Sequence, residues 1–359
     1  MKKMSKDRHI GIDILRIIAM LGVVYLHTVD SFTMRGDFFL TKAWFVFEPL
    51  SAISRSSLAL FFIISGYLVI QKNRSIKENL QITVRRIVIP LIFFSILSSF
   101  FFIFKTGKSI WTAVDPTYVF GGMMKLPDNW LWFLETLLFL YLLNPLWQLV
   151  FADTSKRSVA LYIVAFFFIF TGLVIFFKFV VYTPQFFNRF TTWIAYLCCY
   201  LYGALVRNKW NYRKSVYFYF FMFLTGLMMQ IIGIYFSIVN NLKGTPLQFA
   251  GYFADNTSIP FLFMAIGLFN MLIPLRTIKF FGKQTAAIVT TLAGLSYGIY
   301  LTHEFISQTL ADIMGWSVDS IHVNVYLFNF GFFAITLFGS AFVTFILLRI
   351  PKVRAILGA

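Results

Sequence analysis

Apolar runs of spanning length recur along the whole chain, separated by short polar breaks. Windows of about 17–25 residues, the length that crosses a bilayer as helix, fall near 10–30, 50–71, 84–104, 130–151, 159–181, 190–207, 215–237, 258–275, 292–313 and 325–348. The sixth and eighth are the shortest, and the eighth lies between Pro260 and Pro274. The pattern predicts an all-α membrane protein of about ten transmembrane helices, forming a single membrane-embedded domain over residues 1–359. The first run follows a basic start like that of a signal peptide. It is too long for an ordinary signal core and no small-x-small cleavage site follows, so a retained first helix is expected.

The polar breaks set the orientation. With the N terminus inside, 21 of the 31 Lys+Arg fall on the inner side, among them Lys2, Arg8, Arg74, Arg85, Arg86, Arg207 and Arg354. Nine fall outside, and Arg16 lies within a span. This asymmetry predicts cytoplasmic N and C termini. The longest breaks, near 31–49, 105–129 and 238–257, then face outward. One of them, Asp115 to Trp130, is rich in Pro, Gly and aromatics. It reads as a turn with interfacial anchors in preference to a re-entrant lid. No inverted internal repeat of the transporter kind is visible.

Composition narrows the picture. At 59% hydrophobic, 13% charged and a mean hydropathy of +0.78, the chain is no soluble domain. The net charge of +17 sits in loops, so topology explains it and nucleic acid is excluded as a partner. Cys198 and Cys199 are helix neighbours that cannot bridge each other; they read as core, and neither a disulfide framework nor a metal is expected.

The chemistry then rests on polar residues inside apolar runs, where each costs kilocalories unless it serves a purpose. At about 100° per residue, Asp13, Arg16 and His27 share one stripe of the first helix. Asp13 and Arg16 can pair, and His27 lies roughly 16 Å further along, towards the outer side. Ser65-Gly66-Tyr67 sits at the inner end of the second helix; Gly66 suits close packing and Tyr67 could bond a ligand. Arg85 and Arg86 open the third helix, where arginines and free N–H groups hold phosphate or simply flank the membrane. Glu135 on the fourth helix lies at the depth of His27 and is the expected carboxylate partner of that imidazole, with Arg55 or a loop lysine as alternatives. Tyr297, Tyr300 and Glu304 share one face of the ninth helix with His303 beside it, which points to a wet cavity or to a polar network between helices. Taken together these groups could line one cavity crossing the membrane.

Four stretches carry a resemblance. "IDILRIIAMLGVVYLHT", with Arg16 and His27 eleven apart, resembles the first helix of the acyltransferase-3 family of bacterial membrane acyltransferases. "FFIISGYL", "WFLETLLFLYLLNP" and "SYGIYLTH" are similar to that family's later motifs, in the same order. The resemblance implies acyl transfer from cytoplasmic acyl-CoA, usually acetyl-CoA, to a hydroxyl of a surface glycan or lipid-linked sugar. It implies His27 as the essential base, Arg16 as its functional partner and Arg86 as a contact to the CoA phosphates. The chain departs from the family at Thr83, where a first Arg would stand, and at Leu137 and Leu138, where many members carry a Glu pair.

The expected activity is that of an integral membrane O-acyltransferase of the bacterial cytoplasmic membrane. His27, Arg16, Glu135 and Asp13 are its expected catalytic set. Arg85, Arg86, Ser65, Tyr67, Tyr297, Tyr300 and His303 are expected to bind the donor, with Tyr67, Tyr297, Tyr300 or Ser296 donating to the developing oxyanion. Expected partners are acyl-CoA, the glycan acceptor and the bilayer, with a separate extracytoplasmic transferase and a homodimer also in view, since no fused esterase domain is read in the chain. The competing expectation is a transporter or exporter of a glycan or its precursor, using the same stripe as a path.

Overall fold

Helices account for all the regular structure in the computed structural model, which describes residues 9–30, 38–70, 74–107, 109, 111, 130–180, 192–208, 214–245, 250–275, 282–313 and 324–357. The expected turn at 115–130 lies outside the described residues except for Trp130.

The principal helices are α1 (Ile10–Thr28), α2 (Lys42–Val69), α3 (Ile76–Thr106), α4 (Trp132–Leu142), α5 (Asn144–Phe151), α6 (Arg157–Val180), α7 (Thr192–Arg207), α8 (Val216–Leu242), α9 (Ile259–Leu272), α10 (Lys283–Ile313), α11 (Val325–Leu347) and α12 (Pro351–Ile356). Polar residues cap several of them, and α2 and α3 begin earlier than the apolar runs alone suggest. Thr41 accepts the Trp44 N–H at 3.2 Å and starts α2. Ser75 and Glu78 form a reciprocal capping box at the start of α3. Ser215 accepts the Phe218 N–H at 3.3 Å and starts α8.

Helix falls within every one of the ten expected segments, yet the count of ten is not reached on length and composition. Among the described residues, seven helices are long and apolar enough to cross a membrane, or eight if α4 and α5, bent by 55°, act as one span. The shortfall comes from α7 and α9, with 16 and 14 residues. At 1.5 Å per residue they reach only about 24 and 21 Å, against a hydrocarbon core of about 30 Å. Both lie inside the bundle. The stretch from Ala195 to Leu201 is buried throughout, including Cys198 and Cys199, as expected of core residues.

The buried hub is α2, which packs against α1, α7, α8 and α9. Its crossing with α7 is made by two glycines. A Cβ on Gly66 would collide with the Tyr200 carbonyl, and one on Gly203 with the Ile63 carbonyl. Each helix therefore presents a notch to the other's backbone, the close approach that small residues permit in membranes. On its other side α1 packs against α10, which in turn packs on α11. This sandwich of α2, α1 and α10 brings the polar residues of three separate segments together.

Candidate functional site

Two proline-induced defects shape a cavity near the end of the bundle where α1 begins. In α3, Pro90 has no N–H to give the Arg86 carbonyl four residues back. Here the helix widens into a π segment, Val84–Val88, and the hydroxyl of Tyr297 on α10 donates to the Arg86 carbonyl at 2.8 Å. At the start of α5, Pro145 likewise leaves the Tyr141 carbonyl of α4 without its helical donor. Asn79 Nδ2 supplies it at 2.7 Å, and Asn79 is held in turn by Asn144 Nδ2 at 3.1 Å. Both repairs come from another helix, so both tie Arg86 and Tyr141 to fixed places.

The cavity between these points has a volume of about 290 Å³. Arg16, Ser65, Arg86, Tyr141, Ser296 and Tyr297 supply its polar lining. No carboxylate is among its described lining residues. Arg16 pairs with Asp13 at 4.0 Å, with Asp13 buried and Arg16 partly exposed. The cavity closes on a layer of rings formed by Phe61, Phe133 and Tyr300. Phe133 lies 5.6 Å from Phe61 and 5.2 Å from Tyr300 between centroids. The Tyr300 hydroxyl donates to the Trp130 carbonyl at 2.5 Å. Both tyrosine protons are thus given to backbone carbonyls, which fits Tyr297 and Tyr300 for positioning better than for oxyanion donation.

Beyond the ring layer lies a second group. His303 is fully buried, and its ring is 6.0 Å from Tyr300 and 4.9 Å from His27. His27 Nδ1 stands 3.1 Å from Glu304 Oε2, and Gln308 Nε2 donates to Glu304 Oε1 at 2.8 Å. The His27 side chain is 33% exposed, while that of Glu304 is 10% exposed. One donor atom each from His27, His303 and Glu304 lies within 4.8 Å of the other two.

Two expectations from the sequence meet a different geometry. The carboxylate beside His27 is Glu304 of α10, whereas Glu135 stands near Tyr300 on α4. Depth alone selected Glu135. The choice between two carboxylates at one depth depends on which helix faces α1, and that is α10. Nor do the stripe residues line one crossing cavity, because Arg16 opens into the cavity and His27 does not. The bulky rings of Phe61, Phe133 and Tyr300 fill the intervening layer.

The remaining candidates divide. Ser65, Arg86, Tyr297 and Tyr300 line the cavity. Arg85 is exposed outside that lining. Tyr67 also sits outside it, buried against Phe269 with the Arg207 guanidinium 4.9 Å above its ring. Tyr141 lines the cavity without having been singled out from the sequence; the signal available was the Pro145 that frees its carbonyl.

A protein-family model of the acyltransferase-3 type, described as an acyltransferase domain, matches residues 9–349, nearly the whole chain. No curated protein and no solved structure matches the chain.

Proposed function

The chain belongs to the acyltransferase-3 family, and from this we propose that it is an integral membrane O-acyltransferase moving an acyl group, acetyl by family resemblance, from cytoplasmic acyl-CoA to a hydroxyl of a surface glycan or lipid-linked sugar. The proposal includes ten membrane crossings with both termini cytoplasmic, α7 and α9 being short crossings sheltered inside the bundle. The observation that carries it is the division of labour across the ring layer. On one side lies an arginine-lined cavity, on the other an imidazole backed by a carboxylate.

In this reading the CoA phosphates sit at the cavity mouth against Arg86 and Arg16. Forked guanidinium donors suit phosphate, and no carboxylate in the described lining competes for them. A volume of about 290 Å³ is at the small end for ligand pockets. It suits the pantetheine arm with a short acyl group and leaves the nucleotide at the mouth. The thioester reaches the acceptor when the rings of Phe61, Phe133 and Tyr300 part. His27 takes the acceptor hydroxyl proton as the oxygen bonds to the acyl carbon. The C–S bond breaks, and the proton passes from the imidazolium to the CoA thiolate. Glu304, 3.1 Å from Nδ1, holds the ring and stabilises its charged form. Asp13 serves only to orient Arg16.

Nothing in the family assignment favours the exporter reading. The deciding experiment gives purified protein acetyl-CoA and a panel of envelope sugars, and follows CoA release together with the mass of the acceptor. CoA release that depends on acceptor supports the proposal. Movement of a glycan across liposomes without any use of acetyl-CoA would replace it with an exporter. Mass spectrometry of the surface polymer with and without the protein then identifies the acceptor.

A further inference from the structure

His303 is a buried imidazole whose second nitrogen has no assigned work. Its Nδ1 is 2.7 Å from the Tyr300 carbonyl, which accepts only if that nitrogen carries the proton. The lone pair is therefore on Nε2, and Nε2 is buried with no hydrogen-bond partner among the described residues. A buried acceptor left without a partner is uncommon and points to a missing one.

The surroundings narrow what that partner is. The ring of His27 lies 4.9 Å away, and Glu304 Oε2 is 3.1 Å from His27 Nδ1. Two imidazole nitrogens and one carboxylate oxygen are a common ligand set for zinc, with room for a water or an acceptor oxygen in a fourth place. The supporting bonds also match. Metal-bound histidines usually donate their other N–H to a carbonyl or carboxylate, as His303 does to Tyr300. Glu304 is likewise held by Gln308 through its other oxygen, at 2.8 Å. At metal–ligand lengths of about 2.0–2.1 Å, ligand atoms sit roughly 3.3 Å apart in a tetrahedron. The His27–Glu304 pair has that spacing already, and all three ligand atoms lie within 4.8 Å of one another, so modest side-chain rotations would close the set around an ion.

We infer that His27, Glu304 and His303 form a binding site for a divalent transition cation of the zinc class, and that its occupation inhibits the enzyme. The inhibitory part rests on the reading of His27 as base: an imidazole bound to metal cannot accept the acceptor's proton. The sequence, with no His/Cys spacing typical of zinc sites, gives no hint of it, because His27 and His303 lie on α1 and α10.

The test uses the full chain in detergent, stripped with a chelator and dialysed against Zn²⁺. The expected result is one zinc per chain by elemental analysis, and a visible ligand-field spectrum on replacement by Co²⁺. His303→Asn and Glu304→Gln should each weaken binding at least about tenfold, as loss of even an outer-shell partner does. Wild-type protein that retains no zinc, or variants that bind it as tightly as wild type, overturns the site. Should a variant fail to fold, X-ray absorption of the wild-type complex decides, since it must show histidine nitrogen around the metal. Zinc binding at unchanged acyl transfer overturns the inhibition. A metal-free protein with no acyl transfer at all sinks the functional reading instead, and leaves metal binding to be judged by the first two measurements.

Discussion

The two ends of the helix bundle treat positive charge in opposite ways. At the end where α1 begins, Arg16 and Arg86 border a cavity with no carboxylate in its described lining, and Arg16 stands 4.0 Å from Asp13. At the other end cations are matched at close range. Lys105 meets Asp312 at 2.8 Å and Lys178 meets Asp255 at 2.7 Å. Buried Arg55 meets Asp30 at 2.6 Å and Glu48 at 3.7 Å, with Gln230 donating to Glu48 at 3.2 Å. A matched buried cation holds helices in register. Two arginines bordering a cavity with no carboxylate in its described lining make a ready site for an anion, since their forked donors form charge-assisted bonds to it. The comparison assigns donor binding to the first end and structure to the second.

The largest effect expected on activity lies at His27, in the last turn of α1 and beyond the ring layer from the cavity. His27→Ala should reduce acyl transfer by on the order of a thousandfold or more, the range of a lost general base, with little change in binding of acyl-CoA. Steady-state kinetics with acetyl-CoA measure both. Wild-type turnover in this variant would remove the imidazole from the reaction.

Next comes Arg55→Met. It leaves Glu48 and Asp30 without their cation, and breaking a buried pair typically costs about 3–5 kcal/mol. Thermal unfolding in detergent should shift strongly downward, while KM for acyl-CoA per folded molecule stays as it was. A changed KM with unchanged melting would reverse the roles given to the two ends.

Arg86→Ala should do the converse. A hydrogen bond to a charged group contributes about 1.5–3 kcal/mol, so affinity for acyl-CoA should fall by about ten- to a hundredfold with the fold intact. Free CoA as a competitive probe reads this directly. Arg86→Lys should recover only part, because an ammonium lacks the fork.

The smallest effect sharpens the picture most. Tyr297→Phe removes only the hydroxyl that serves the Arg86 carbonyl. A loss of about 0.5–1.5 kcal/mol is expected, a few-fold rise in KM, with kcat nearly unchanged. A kcat effect as large as that of His27→Ala would place Tyr297 in the chemistry itself.

Much of this was legible in the chain. Apolar runs determined that the protein is helical and multi-pass, because backbone groups in hydrocarbon must be satisfied within each segment. The four motifs determined the family, and the positions of Asp13, Arg16 and His27 on one helix followed from the turn per residue alone. Pro90 and Pro145 even marked where helices would need outside donors, although the donors could not be named.

Tertiary structure decided the rest, since each remaining question concerned which side chains from distant segments meet. It placed Glu304 rather than Glu135 beside His27, set His303 against both, and assigned Tyr297 and Asn79 to the carbonyls that the prolines freed. It also closed the expected crossing path with three aromatic rings. Helical periodicity fixes the angle of a residue about its own axis, but helix packing fixes which neighbour that angle faces, and the chemistry of this site lies between helices.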